Sequence, residues 1–293
     1  MLQGCEGALE AQRVAAQQCA ILVINLDRAP ERLAFQRAQA KHLGIDFERI
    51  PAVDGAKLSA ETYHRYARRW QRVLTRNEVA CLLSHARCWE HVIELGCNAL
   101  VLEDDAVLAE ELPAFLNEAA ALEGCVVVNI ETRCRRAFLA RERSAYSSTG
   151  LYALLRAVSG SAGYLVTPEA AAMLLKGLPH KAGLVDNYIW GKRDVRRLQA
   201  DPAFCMGLDV MQAHFQLEKT ALARSNIANN GRSRAEKILS YCRHPLTAWR
   251  RVKAQVSLGL TKIILPWVVA WRVVAPYPSI LANYQALKGV CNG

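Results

Sequence analysis

The chain has 293 residues, 52% of them apolar and 22% charged, and a net charge of +10. That composition supports one large α/β domain, or a domain with an appendage, and excludes a chain disordered throughout. The ten cysteines form no Cys-x-x-Cys pair, which reads as reduced thiols of a cytoplasmic protein and excludes a dense disulfide scaffold.

Residues 1–18 carry Glu6, Glu10 and Arg13 and no long apolar run. They read as a leader segment, not a secretory signal. "CAILVINL" (19–26) has the length and continuous apolarity of a buried parallel strand. "PERLAFQRAQAKHLG" (30–44) follows as a helix, with Pro30 in its first turn and Gly44 at its stop. "DFERIPAV" (46–53) reads as a second strand, so the chain opens β-α-β, the signature of a parallel sheet.

"TRNEVACLLSHARCWEHVIELG" (75–96) is the clearest helix, with Thr75 and Glu78 at capping-box spacing and Gly96 at the end. "NALVLEDD" is the third strand, 110–122 a helix, and "CVVVNI" (125–130) the fourth strand. The polar stretch that follows, "RCRRAFLARERSAYSSTGLYALLR", reads as an irregular loop over one edge. "SAGYLVT" (161–167) is a strand, and 168–178 a helix begun by Pro168.

The basicity belongs to the end of the chain. Residues 230–293 hold ten Lys or Arg and one acid, while the other 229 residues hold 27 basic and 26 acidic side chains. This basic segment also carries Trp249, Trp267 and Trp271. Its apolar run is too short and interrupted for a membrane span. It reads either as a segment lying in an anionic membrane interface or as a helical cap with a solvated basic face. It has no zinc pattern, heptad seam or helix-turn-helix, so nucleic acid is not expected as a partner.

Chemistry concentrates in "LEDD". Side chains alternate along a strand, so Glu103 and Asp105 point one way and Asp104 the other. Two carboxylates at the C-terminal end of such a strand sit where open α/β sheets bind ligands. They offer oxygens to Mg²⁺ or Mn²⁺, which would bridge the phosphates of a nucleotide-sugar. The alternative is an acidic strand end that caps the next helix. On the long helix Glu78, Cys81, His85 and Cys88 are spaced 3, 4 and 3 and share a face. As a zinc site this set lacks a partner to complete a tetrahedron. In the preferred reading Glu78 and His85 face a cleft; otherwise the cysteines pack as small apolar residues and His85 is a core histidine. Arg28 and Arg32 flank the first βα turn and read either as phosphate or nucleobase contacts or as solvated helix-start arginines.

Taken together and in order, "VINLDRAPERL", "IPAVDGAKL", "LTRNEVACLLSHARCWEHV", "ALVLEDDAVL", "SGSAGYLVTPEAAAMLL" and "GLVDNYIW" resemble glycosyltransferase family 25, over about residues 20–227. The resemblance implies a GT-A-like α/β domain over 19–229, with a mainly parallel sheet, flanking helices and a basic helical tail over 230–293. It also implies a UDP-sugar donor, usually UDP-galactose, inversion at the anomeric carbon, and a divalent metal. Carried over by position, Asp105 is the metal ligand, and Glu103 lies near the metal or the ribose beside Asp104. Asn25, Arg28 and Arg32 border the nucleotide, and Asp54 its base and ribose. Glu78, Ser84 and His85 match the family's Glu and Ser-His positions. Asp186 is the candidate general base, although Asp also caps helices often. Ala29 departs from the family, which often has Arg there, and "DVMQAHFQLEKTAL" is a loose fit in the region that should meet the acceptor. The expectation is a cytoplasmic enzyme of lipooligosaccharide or lipopolysaccharide assembly, held by its tail at the inner face of the membrane, where its glycolipid acceptor sits. A protein or soluble acceptor, and a non-catalytic binding protein, are the alternatives.

Overall fold

A computed structural model describes residues 19–144, 149–156, 160–223, 249–253, 255–256 and 269–291. The leader and most of the basic tail, with Trp267, lie outside them, as do residues 224–227.

The expected β-α-β opening is present as β1 (Ala20–Asn25), α1 (Pro30–Leu43) and β2 (Glu48–Pro51). Helix α1 ends at Gly44, whose φ of 64° is left-handed and suits a residue without Cβ. Helices α2 (Ala60–Ala67) and α3 (Arg76–Leu95) follow. The capping box of α3 is formed by Thr75 and Glu78, and Gly96 closes the helix at a φ of 65°. Then come β3 (Ala99–Glu103), β4 (Ala106–Leu108), α4 (Leu112–Ala119) and β5 (Val126–Asn129).

Residues 133–156, expected to be an irregular loop, instead contribute a hairpin, β6 (Arg136–Arg143) and β7 (Leu151–Arg156). The charged residues mask a short apolar core: Phe138, Leu139, Leu151 and Leu154 are buried. Beyond the hairpin lie β8 (Gly163–Val166), α5 (Pro168–Lys176), α6 (Val185–Gly191), β9 (Arg196–Ala200), β10 (Cys205–Gly207) and α7 (Leu208–His214). The described part of the tail supplies β11 (Val269–Val273) and α8 (Ser279–Cys291).

Among the described residues nine strands form one sheet in the order β11-β6-β7-β9-β5-β8-β3-β1-β2. The pairs β1–β2, β1–β3 and β5–β9 are parallel, and the other five are antiparallel. Followed across the sheet, these pairings point β1, β2, β3, β5, β6 and β9 the same way. The result is the expected α/β architecture, a mostly co-directional sheet between helices.

Strand alternation explains the unbroken apolar runs. On one face Ile21, Val23, Leu100 and Leu102 pack with Phe35 of α1, Phe115 of α4 and Ile280 and Tyr284 of α8. On the other, Leu22, Ile24, Ala99 and Val101 pack with Leu82 and Trp89 of α3, Leu174 of α5 and Ile189 of α6. Residues 269–291 of the tail are therefore part of the main body. Trp271, one of the aromatics read as a membrane contact, stacks on Phe138 at 5.5 Å and lies under the Arg136 guanidinium. Trp249 remains 67% exposed. Among the described residues no helix is long and apolar enough to cross a membrane.

Candidate active site

The topology brings four strand ends together. β1, β3 and β5 finish on the same edge, and antiparallel β8 begins there, so residues before β8 meet residues after β3 and β5. Glu103 N donates to Ala162 O at 2.9 Å, and Ala162 N donates to Glu131 Oε2 at 2.8 Å. Gly160 sits here at a φ of 120°; a Cβ on it would meet Glu131 Oε2 at 2.5 Å. Only glycine fits both that backbone and that approach.

The acidic triplet splits as strand alternation requires. Asp104 turns toward α1, where Arg32 donates to its Oδ1 at 2.6 Å and Asn25 to its Oδ2 at 2.8 Å. Gln36 donates to the backbone O of Asp104 and Ala106. Burial raises the Asp104 carboxyl above its ordinary range despite Arg32. Arg32 is thus no solvated helix-start arginine: it is 7% exposed, and lies 4.0 Å from Asp105 Oδ2 as well. Asn25 and Asp104, expected to border the nucleotide, have side chains committed beneath the site.

Glu103 turns toward α3. Ser161 donates to its Oε1 at 2.6 Å, and His85 Nε2 lies 3.4 Å from the same oxygen. Burial opposes its charge, but His85 and Ser161 outweigh it and hold the carboxyl below its ordinary range. His85 is fully buried. Its Nδ1 shares a 2.9 Å hydrogen bond with the Tyr164 hydroxyl, which also accepts from Trp89 Nε1 at 2.8 Å. This fixes the ring and aims Nε2 at Glu103, where it has no hydrogen-bond partner.

Asp105 Oδ1 is likewise buried without a hydrogen-bond partner. Burial first, and the neighbouring Glu103 charge second, raise its carboxyl to about 7. Glu131 is 2% exposed and raised by burial to about 8, with Arg133 at 3.5 Å as its nearest cation. Arg133 also reaches Asp209 at 3.5 Å. Glu131, Ser161, Arg133 and Asp209 were missed in the sequence reading. The signal for Glu131 was present: it ends "VVVNIE" as Glu103 ends "ALVLE".

His85, Glu103 and Asp105 border a pocket of ≈ 110 Å³ that Arg28, Arg32 and Cys81 also line. Ser84 lies on its wall, but its hydroxyl accepts from Val53 N and donates to Ala80 O, both at 2.8 Å, tying α3 to the segment after β2. The pocket opens beside a groove of ≈ 1020 Å³ that shares Arg28 and Val53 and adds Asp54, Lys57, Tyr66 and Arg87. Asp54 caps the turn Gly55–Lys57 and is ion-paired with Arg28, which holds its carboxyl low. Asp186 sits in the first turn of α6, with Leu184 as that helix's N-cap, so it is not the cap residue. Its charge reaches Cys81, as do those of Glu103 and Asp105. Glu78 is set apart from the pocket: its carboxylate takes both forks of Arg72 and the Thr75 N–H.

The donor set fits a divalent cation. Two carboxylates converge, and Asp105 Oδ1 and His85 Nε2 are buried without a hydrogen-bond partner, an arrangement a positive ion would satisfy. Arg28 and the groove suit an anionic ligand of nucleotide size.

Comparison with known proteins identifies the family. The sequence profile described as Glycosyltransferase family 25 (LPS biosynthesis protein) matches residues 18–189. The chain is similar to a glycosyltransferase 25 family member of Anopheles gambiae, 30% identical over 58% of this chain and 31% of that protein. It is similar to the lacto-N-neotetraose biosynthesis glycosyltransferase LgtE of Neisseria meningitidis serogroup B, 27% identical over 62% of this chain and 72% of that protein. It is also similar to the lipooligosaccharide biosynthesis protein lex-1 of Haemophilus influenzae, 28% identical over 46% of this chain and 50% of that protein. The chain spans under a third of the insect relatives it matches.

Proposed function

This chain belongs to glycosyltransferase family 25, and from that premise we propose that it transfers a hexose, galactose from UDP-galactose, onto a lipooligosaccharide or lipopolysaccharide acceptor with inversion. The observation that carries this reading is the convergence of Glu103 and Asp105 on a pocket that opens, past Arg28, into a nucleotide-sized groove. The names of LgtE and lex-1 support the glycolipid acceptor.

Inverting transfer asks three things of the protein. The acceptor hydroxyl must lose its proton as it attacks; Asp186, half-buried in the first turn of α6 and within electrostatic reach of the pocket, is the proposed base. The anomeric carbon must be held in line; the groove and the walls Ile24, Val53 and Ala80 confine the donor. Charge on the leaving diphosphate must be met. Arg28, 50% exposed, is placed to do so once it releases Asp54 to the ribose. Glu103 and Asp105 would hold Mn²⁺ or Mg²⁺, which when bound supplies further positive charge to the diphosphate. Arg32, Asn25 and Gln36 keep the acidic turn in place from below.

We place the enzyme in the cytoplasm, peripheral to the inner face of the membrane. The excess of ten basic residues over one acid in residues 230–293 and the exposed Trp249 support attraction to anionic lipid.

The test is nucleotide release from UDP-, GDP- and CMP-sugars, with Mn²⁺ and with chelator. Metal-dependent release from UDP-galactose, lost in Asp105→Ala, is expected. Release from another donor alone would overturn the sugar assignment, and full activity of Asp105→Ala the role of the acidic turn. Vesicle co-sedimentation that does not fall with added salt would remove the electrostatic membrane contact.

A further inference from the structure

The α3 face presents more than carboxylates to the pocket. Cys81 and His85 are one helical turn apart, and Glu103 projects toward them from β3. The ligand atoms of the three lie within 4.8 Å of one another. We propose that Cys81, His85 and Glu103 form a binding site for a borderline-soft divalent cation of the zinc class, with a fourth position open to the pocket.

Three observations carry this. First, the spacing fits. Bonds of about 2.0–2.1 Å to nitrogen and oxygen give a tetrahedral edge of about 3.4 Å, and His85 Nε2 lies 3.4 Å from Glu103 Oε1. The edge to sulfur is about 3.6 Å for a bond of about 2.3 Å, so, from separations of at most 4.8 Å, Cys81 closes the set with a movement of about 1.2 Å or less.

Second, the imidazole is prepared as a ligand. His85 is fully buried, its Nε2 faces the pocket without a hydrogen bond, and its Nδ1 is held by Tyr164. Metal-bound histidines are oriented in this way through the other ring nitrogen. Tyr164 is fixed in turn by Trp89.

Third, the chemistry selects the ion. A thiolate and an imidazole are poor partners for Mg²⁺, which demands oxygen ligands in octahedral array. They favour Zn²⁺ and its neighbours. A thiolate and a carboxylate together neutralise a divalent charge. Three protein ligands and one open position is the arrangement of catalytic zinc. The open position faces the site proposed for the donor's phosphates. The proposal deepens the donor-pocket reading and rests on it for the ion's role, though not for its binding. Because Glu103 would serve both ligand sets, a zinc-class ion held here takes the place of Mn²⁺ or Mg²⁺ in that reading.

The experiment uses the full chain stripped with chelator and loaded with Co²⁺ alone. One equivalent should give a near-ultraviolet thiolate-to-cobalt charge-transfer band and the strong visible bands of a four-coordinate site. Zn²⁺ should displace it and excess Mg²⁺ should not. Cys81→Ser should lose the charge-transfer band and bind Zn²⁺ at least tenfold more weakly. Absence of the band in the unaltered protein, or its persistence in Cys81→Ser, overturns the proposal. Alkylation of the unaltered protein, mapped by mass spectrometry, provides a second reading that does not depend on the variant's folding. Zn²⁺ should slow modification of Cys81, and equal rates with and without it would overturn the site. UDP binding by calorimetry on the same samples separates the two claims. A cobalt band without UDP binding keeps the metal site and removes the donor pocket; UDP binding without the band does the reverse.

Discussion

Arg32 and Asp104 form a buried ion pair, 2.6 Å between nitrogen and oxygen, directly beneath the acidic turn that lines the pocket. Asn25 completes the carboxylate's coordination. The middle acid of "EDD" is therefore an anchor for the other two. Arg32→Leu leaves that carboxylate buried without its cation and should cost about 3–5 kcal/mol, read by urea unfolding at pH 7. The double variant Arg32→Leu/Asp104→Leu should recover most of it. A loss below about 1 kcal/mol in the single variant would show that the pair does not hold the turn.

Asp105 has the opposite character. Its carboxyl is raised by burial and by Glu103, so its charge opposes folding in the metal-free protein. Asp105→Asn should raise the thermal midpoint at pH 8 in chelator, while lowering sugar transfer at least about 100-fold. A destabilised variant would contradict the electrostatic picture.

Glu131 gives a pH dependence. Its carboxyl stands at about 8 in the folded chain, from 4.5 ordinarily, because burial disfavours the charge. Between those pH values the folded state binds the extra proton. This contribution to stability is therefore complete below about pH 4.5 and is lost as pH rises toward 8, at up to about 1.4 kcal/mol per unit. Glu131→Gln should flatten that decline. An unchanged slope in chemical unfolding from pH 5 to 9 would rule it out.

Glu78 was expected in the cleft, but its oxygens serve the N-terminus of α3 and Arg72. Glu78→Ala should lose about 1 kcal/mol or more of stability and keep kcat within about twofold. A fall in kcat on the scale of general catalysis, about 100-fold or more, with stability intact would return it to the chemistry.

Asp186→Asn tests the proposed base. Transfer should fall by a factor of about 10²–10⁴ with donor affinity unchanged, measured by calorimetry against UDP. Loss of donor affinity in place of kcat would move Asp186 from base to donor contact.

The sequence alone determined what depends on near neighbours. The α3 capping box needs only Thr75 and Glu78 three residues apart, and the helix stops at Gly44 and Gly96 need only a residue that accepts positive φ. Alternation sent Asp104 away from Glu103 before any fold was known, since side chains on a strand have a period of two. The hairpin of β6 and β7 escaped notice because its burial comes from β9 and β11, strands far along the chain, and not from its own charged pattern. The tertiary structure alone decided which groups meet. Antiparallel β8 carries Gly160 and Ser161 to the ends of β3 and β5, and α3 lays Cys81 and His85 against Glu103. Whether a carboxylate is an anchor, a ligand or a proton holder depends on the partners and the burial it finds there. Those are set by contacts between residues 79 positions apart, as for Asn25 and Asp104 and for His85 and Tyr164, and spacing along the chain does not contain them.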